Sequence, residues 1–264
     1  MRSRPGRRAA RAAEAAAAAG LAVAASLGSA APAAAPPSRH GETVGHTVRG
    51  RPIRLVVVGD RGAARRVLVV GCIHGTERAG IAVTRALRGA AAPAGAALLL
   101  VDALNADGCA AGTRGNAHGV DLNRNFPVGW RPLSGIYASG PRPGSEPETS
   151  AARRLVLRER PDVTIWLHQH MDRVLLDPGA DRALIRTYAR VAGMRTRVLA
   201  PLPGTATRWE AEVLPGRSAF VVELPAGRLP AAAVARQVRA VLAVAALSGT
   251  SQGALSRLRH PHAP

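Results

Sequence analysis

The clearest indication of the architecture lies in residues 67–77, which read VLVVGCIHGTE. Four consecutive aliphatic residues fit a strand that is buried on both faces of a sheet. Gly71 then marks a turn, and the segment Ala79–Arg88 that follows has the composition of a helix. His74 and Glu77 therefore lie at the carboxyl end of a predicted strand, which is where open α/β sheets place their ligands.

On both sides of these residues, short aliphatic runs alternate with segments rich in Ala, Leu and Arg. The predicted strands are Ile53–Val58, Val67–Val70, Ala97–Val101, Val163–Leu167, Arg197–Leu199 and Ala219–Val222. The predicted helices are Ala79–Arg88, Pro147–Arg160, Asp181–Ala192 and Pro230–Leu247. This alternation predicts a single α/β domain, residues 47–247, with a largely parallel sheet that helices cover on both faces.

The two ends of the chain differ in composition from its middle. Residues 1–35 join an Arg-rich start to a run of Ala with several small-residue cleavage motifs, which predicts a signal peptide. A disordered leader or an uncleaved anchor is the alternative. We expect a linker at residues 36–46 and a flexible tail at residues 248–264. No other segment predicts a stable membrane span, so a secreted or cell-wall-associated monomer is expected.

The charge of the chain is strongly positive. It carries 36 basic side chains, all of them Arg, against 17 acidic ones, for a formal net charge of +19. However, the arginines are scattered along the sequence, and only 3% of the residues are aromatic, so stacking residues do not interleave them. We therefore expect no specific nucleic-acid partner, and at most a weak attraction to anionic cell-surface polymers.

The two cysteines, Cys72 and Cys109, each lie in a segment that carries candidate site residues. An even number of cysteines in an exported protein permits a disulfide. Two separate buried thiols are the alternative.

His74 and Glu77 form an H-x-x-E pair, which can bind one divalent ion through an imidazole and a carboxylate. A third ligand is available at the end of the predicted strand Val163–Leu167, where His168 and His170 are both candidates. Alternatively, Glu77 caps a helix and His74 is incidental.

Two further groups have the composition of a catalytic site. Glu223 ends an apolar run, where a carboxylate is costly to bury unless it faces water or a partner, and it suits a general base. An ion pair with one of the many arginines is the alternative. Arg114 and the loop 119–127 offer guanidinium and amide groups that could bind an oxyanion or a carboxylate. A phosphate-binding loop or a purely structural loop with the same composition is the alternative.

Taken in order, these motifs resemble the zinc carboxypeptidase family, and especially its short bacterial members that act as murein peptide amidases. The match runs from about Val67 to Gly227. Its motifs are HGTE at 74–77, NADG at 105–108, TR at 113–114, DLNRNFP at 121–127, SEPET at 145–149, WLH at 166–168 and ELP at 223–225.

The resemblance implies a zinc peptidase domain with a role for each matched residue. His74, Glu77 and His168 would bind one zinc ion, as in the His₂Glu set of carboxypeptidase A. Asp121 would support a ligand, and Glu223 would be the general base.

The resemblance also implies that Arg114 stabilises the oxyanion and that Asn123 and Arg124 bind a substrate carboxylate. The implied fold is a three-layer α/β/α sandwich around a mixed, mainly eight-stranded sheet. The implied substrate is a peptide or muropeptide, such as one with a γ-D-glutamyl–diaminopimelate bond.

Some residues depart from the family pattern. Ala106 replaces the usual Pro, Thr76 stands where Asn is common, and no Tyr lies convincingly between His168 and Glu223 to cap the substrate. These differences favour an amidase over a digestive carboxypeptidase. A carboxypeptidase for ordinary peptides, an N-acyl amino-acid deacylase and a non-catalytic binder of cell-wall polymer remain alternatives.

Overall fold

The computed structural model describes residues 39–247, and the predicted signal peptide and tail lie outside this range. The strands are β1 (Arg39–His46), β2 (Pro52–Gly59), β3 (Arg65–Val70), β4 (Ala96–Val101), β5 (Val163–Leu175), β6 (Arg195–Arg197) and β7 (Ser218–Pro225). The helices are α1 (Ala79–Leu87), α2 (Ala106–Ala111), α3 (Pro147–Glu159), α4 (Arg182–Ala192), α5 (Ala206–Val213) and α6 (Ala231–Leu247).

The strands form one mixed sheet in the order β1-β2-β4-β3-β5-β6, with β7 also paired to β5. β1 and β2 run antiparallel to their neighbours, whereas β3 is parallel to both β4 and β5. β5 is also parallel to β6 and β7. The carboxyl ends of β3, β5 and β7 therefore meet at one edge of the sheet.

Helices cover both faces of this sheet, so the predicted three-layer sandwich is confirmed. Side chains alternate along each strand: Val67 and Val69 belong to the core beneath α1, α4 and α6, whereas Leu68 and Val70 belong to the core beneath α3 and α5. Aromatic side chains are concentrated in the second core, where Phe126, Trp166 and Trp209 pack together.

One expectation about the strands was wrong. Residues 39–46, expected as part of a linker, form the edge strand β1, which pairs with β2 alone and therefore needs no continuous apolar run. Within residues 39–247 the sheet has seven strands, and the long strand β5 pairs with β7 along two stretches, with His168 and Arg173 both opposite Glu223. The connection from α2 to α3 is rich in Gly, Pro and Asn, which disfavour strands, and it forms only two short 3₁₀ helices.

None of the helices within residues 39–247 combines the length and the apolar character that crossing a membrane requires.

Helix α5 is anchored to the sheet by a buried carboxyl group. Glu210 accepts a hydrogen bond from Trp166 Nε1 at 2.7 Å. Burial, opposed by the hydrogen bond from Trp166, raises the pKa of Glu210 from 4.5 to about 7. A carboxyl group whose pKa is raised by folding stabilises the folded state at low pH. This stabilisation is lost as the pH rises from the pKa of the group in the unfolded state to above its pKa in the folded state.

We expect the substitution Glu210→Gln to remove this pH dependence, because Gln keeps an acceptor for Trp166 and does not ionise. Relative to the variant, the wild-type free energy of unfolding should fall by on the order of 3 kcal/mol between about pH 5 and pH 8. Urea unfolding of both proteins at the two pH values measures the difference. If the difference in free energy of unfolding between the wild type and the variant were the same at both pH values, Glu210 would not ionise over this range.

Candidate metal centre and active site

The loop that follows β3 carries the first two predicted metal ligands, and it is held tightly against α2. A Cβ atom at Gly75 would overlap the backbone of Gly108, so only glycine permits this approach. Cys72 and Cys109 are joined in a disulfide between the same two segments. The loop therefore presents His74 and Glu77 from a fixed backbone.

Three side chains converge just beyond the end of β3, beside the middle of β5. His74 Nδ1 lies 2.9 Å from Glu77 Oε1, and His168 Nδ1 lies 2.9 Å from Glu77 Oε2. The ligand atoms of these three residues all lie within 4.8 Å of one another, and all three residues are buried. His170, the alternative third ligand, is exposed and is not part of this cluster.

The donor set fits a zinc ion. Two imidazoles and one carboxylate are the ligands of catalytic zinc sites, which leave a coordination position for water or substrate. His74 Nε2 lies 2.8 Å from Asp121 Oδ1, so the carboxylate fixes the orientation of that ring. His168 Nε2 is buried and has no hydrogen-bond partner in the described part of the chain.

Charge around the cluster is balanced by Arg114. Its guanidinium group lies 3.0 Å from Glu77 Oε1 and 2.9 Å from Asp121 Oδ2. Burial raises the pKa of Asp121, but the hydrogen bond with His74 and the charge of Arg114 outweigh it, and the pKa falls to about 2. In the same way, His168 and His74 outweigh the burial of Glu77 and lower its pKa. Both carboxylates are therefore ionised at neutral pH, as a cation site requires.

The predicted general base lies beside the predicted third ligand because of strand register. β5 and β7 pair in parallel, with His168 opposite Glu223. Glu223 Oε2 is buried without a hydrogen-bond partner among residues 39–247. No arginine forms an ion pair with it in this part of the chain. The ion-paired alternative for Glu223 therefore has no support in the structure.

Asn123 and Arg124 lie in a short 3₁₀ helix, Leu122–Arg124, which Asp121 begins by accepting a hydrogen bond from Asn123 N–H. Arg124 Nη1 donates to the Asn123 carbonyl at 2.7 Å, and burial lowers the pKa of Arg124. The ring of Tyr137 lies 5.3 Å from Arg114 Cζ and 5.5 Å from Arg124 Cζ. The structure thus brings the predicted oxyanion-stabilising Arg114 and the predicted carboxylate-binding Arg124 to one aromatic ring.

Sequence reasoning missed Tyr137 because the search for a tyrosine was confined to the segment between His168 and Glu223. Its only local signal was an isolated aromatic residue in a Gly- and Pro-rich loop. Tyr137 is 47% exposed, so it lies at the mouth of the site and not in the core.

All the side chains predicted to bind metal or substrate or to act in catalysis line one cavity of about 620 Å³. Its inner wall contains Asp177, which sequence reasoning also missed. Asp177 accepts hydrogen bonds from Thr207 Oγ1 at 3.0 Å and from Val221 N–H at 2.9 Å, and burial raises its pKa. It forms no ion pair within the described residues. A carboxylate without a cationic partner therefore faces the cavity.

Comparison with known proteins agrees with this geometry. A family model described as zinc carboxypeptidase matches residues 96–234, which include His168, Glu223 and Arg114 but not His74 and Glu77. A second model, described as a protein of unknown function (DUF2817), matches residues 24–148.

Murein peptide amidase A of Escherichia coli strain K12 is 32% identical over 142 residues, which cover 48% of this chain and 58% of that protein. The chain thus matches less than two thirds of the length of this relative.

Two solved structures illustrate the likeness of the fold. The murein-tripeptide amidase MpaA from Escherichia coli O157 aligns with a TM-score of 0.66 at 24% identity, over 78% of this chain and 91% of that one. Carboxypeptidase A from Helicoverpa armigera aligns with a TM-score of 0.67 at 18% identity, over 81% of this chain and 69% of that one. The predicted resemblance is confirmed: this chain belongs to the zinc carboxypeptidase family, a family of hydrolases.

Proposed function

We propose that this chain is a zinc-dependent amidase that hydrolyses an amide bond next to a carboxylate-bearing residue of murein peptides. The proposal rests on one observation: the three candidate zinc ligands, the general base Glu223 and two arginines, Arg114 and Arg124, all line the same cavity. Oε2 of Glu223 is buried and has no hydrogen-bond partner within residues 39–247. Neither a deacylase nor a non-catalytic polymer binder is favoured by a comparable observation.

His74, Glu77 and His168 would hold the zinc ion, which would supply Lewis-acid polarisation of the scissile carbonyl and activation of water. Glu223 takes a proton from the attacking water at Oε2, which is free to accept it, and returns the proton to the leaving amine. Arg114 is held by Glu77 and Asp121, so its guanidinium is already oriented towards the negative charge that develops on the carbonyl oxygen.

Binding of the substrate carboxylate falls to Arg124 and Asn123. Arg124 is buried at 7% exposure, so its charge acts in a poorly hydrated environment where a carboxylate ligand is strongly attracted. The Asn123 side-chain oxygen accepts a hydrogen bond from Ala206 N–H at 2.9 Å, which leaves its amide NH₂ as the donor for a ligand.

A murein peptide is favoured over an ordinary peptide by Asp177. A diaminopimelate residue carries an ammonium group and a second carboxylate on its side chain. Asp177 offers that ammonium group a half-buried carboxylate that forms no ion pair within residues 39–247, and the similar amidase carries murein peptide in its name. The amine-side residue in this proposal is therefore a diamino acid.

We expect the substitution Asp177→Asn to weaken cleavage of peptides with diaminopimelate after the scissile bond. Asn keeps an acceptor for Val221 N–H and a hydrogen bond to Thr207, so only the charge is lost. Removing one partner of this half-buried charge pair should lower kcat/KM by roughly 10-fold, mainly through KM. The zinc-loaded enzyme is assayed on matched peptides that carry diaminopimelate, lysine or alanine at this position.

The alanine peptide serves as the control, because its cleavage should be unchanged by Asp177→Asn. Equal losses on all three peptides would rule out recognition of an ammonium group. If the alanine peptide were the preferred substrate of the wild type, the chain would be a carboxypeptidase for ordinary peptides.

We also propose that the chain is exported. The support is the composition of residues 1–35, an Arg-rich start followed by an Ala-rich run with small-residue cleavage motifs. Amino-terminal sequencing of the protein recovered from culture medium and cell wall tests this. Recovery of the full chain from the cytoplasm alone would contradict it.

A further inference from the structure

Folding brings together arginines that are scattered in the sequence. Helix α4 places Arg182, Arg186 and Arg190 four residues apart, so they lie on one side of the helix at intervals of about 6 Å along its axis. All three are exposed, whereas Leu184 and Tyr188 on the other side of α4 are buried. The helix therefore presents a row of guanidinium groups to solvent.

The edge strand β6 lies beside this row. Its Thr196 pairs with Val174, which belongs to the core beneath α4, whereas Arg195 and Arg197 point to the other face of the sheet. A groove of about 600 Å³ runs between α4 and β6, and its lining includes Arg186, Arg190 and Thr196. The groove therefore offers positive charge and a hydroxyl group.

Helix α6 packs against the buried side of α4, with Tyr188 Oη donating to Gln237 Oε1 at 2.7 Å. We call the three exposed arginines of α4 the basic face: Arg182, Arg186 and Arg190.

The basic face lacks acidic neighbours that could neutralise it. Residues 182–209 contain no Asp or Glu, and neither do residues 224–247. Asp181 begins α4, where it accepts a hydrogen bond from Ala183 N–H. No arginine of the basic face forms an ion pair within residues 39–247.

Several arginines elsewhere on the molecule are paired with carboxylates. On the opposite layer, Arg61 and Arg158 both pair with Glu42 and Glu159. There, the arginines contribute to local ion-pair networks. On the basic face, repulsion between like charges is left uncompensated, which favours an external polyanion as its partner.

We propose that the basic face binds a linear polymer of phosphodiesters, of the polyol-phosphate class. The forked donors of arginine match phosphate oxygens, and phosphodiesters separated by a few carbon atoms have a spacing comparable to the arginine row. A nucleic acid is less favoured because α4, β6 and α6 expose no aromatic side chain on which a base could stack. The face contributes no residue to the cavity, so binding would retain the protein on the polymer without blocking the site.

The test compares two triple variants of the full chain that lose the same charge. One is Arg182→Gln, Arg186→Gln, Arg190→Gln. The control is Arg49→Gln, Arg54→Gln, Arg142→Gln, whose arginines are also exposed and without an ion pair in the described region. Labelled poly(glycerol phosphate) is titrated with each protein at several salt concentrations, and an oligothymidylate serves as the second probe.

If each guanidinium contributes about a factor of three, the α4 variant should bind poly(glycerol phosphate) on the order of 30-fold more weakly than the wild type. The slope of log affinity against log salt should fall by about two. The control variant should stay within about threefold of the wild type. Equal losses in the two variants would overturn the proposal, since net charge alone would explain them.

Tighter binding of the oligothymidylate than of poly(glycerol phosphate) would also overturn it, and would assign the face to nucleic acid. Hydrolysis of a short soluble peptide is measured in parallel. Because the polymer titration does not depend on turnover, an inactive protein would leave its result unaffected.

Discussion

The substitution Glu223→Gln is expected to lower kcat by about 10²- to 10⁴-fold, which is the usual contribution of a general acid–base residue. Glu223 Oε2 is buried and accepts no hydrogen bond within residues 39–247, so it is available for the proton of the attacking water. Gln has nearly the same shape and cannot take up that proton. Zinc content should remain at one ion per chain, because Glu223 is not in the ligand cluster.

Glu212 provides the matched control, since it lines the same cavity but is exposed. Glu212→Gln should retain nearly full activity with an unchanged zinc content. Substantial turnover by Glu223→Gln, with zinc bound, would move the general base to another residue. Loss of zinc from Glu223→Gln would instead show that Glu223 supports the metal site.

The substitution His168→Ala should remove zinc at metal concentrations that saturate the wild type. A zinc site with one imidazole and one carboxylate left is far weaker than a three-ligand site, and activity should fall by more than about 10³-fold. Zinc measured by mass spectrometry after gel filtration, together with peptide hydrolysis, gives both quantities.

His170→Ala is the control for this experiment, because His170 lies two residues further along β5 and is exposed. It should bind zinc as tightly as the wild type. The opposite pattern, with zinc lost from His170→Ala and kept by His168→Ala, would assign the third ligand to His170. The Nδ1–Oε2 distance of 2.9 Å between His168 and Glu77 favours the first pattern.

Much of the fold could be predicted because its central strands are continuous apolar runs. β3 and β4 are buried on both faces, so hydrophobicity alone marks them. β1 was missed because an edge strand pairs on one side only and tolerates glycine, as at Gly41 and Gly45. Helices α2 and α5 were missed because they are short and lie beside loops of similar composition.

The sequence predicted those site residues that a short motif identifies. The H-x-x-E spacing of His74 and Glu77 and the position of Glu223 at the end of an apolar run can both be recognised without the structure. Asp177 and Tyr137 were not visible, because each belongs to the site only through contacts made across the fold. The basic face follows from the four-residue spacing of Arg182, Arg186 and Arg190 along α4.

The pairing of His168 with Glu223 has a consequence for folding. Side chains of neighbouring positions in a strand point to opposite faces, so a slip of β7 by one residue would turn Glu223 away from the metal ligands. A molecule with this error would keep most of its secondary structure and still bind zinc. The specific activity per bound zinc therefore reports the fraction of molecules in which β7 pairs with β5 in the correct register. Circular dichroism is nearly insensitive to a slip of one residue, because the secondary structure content barely changes.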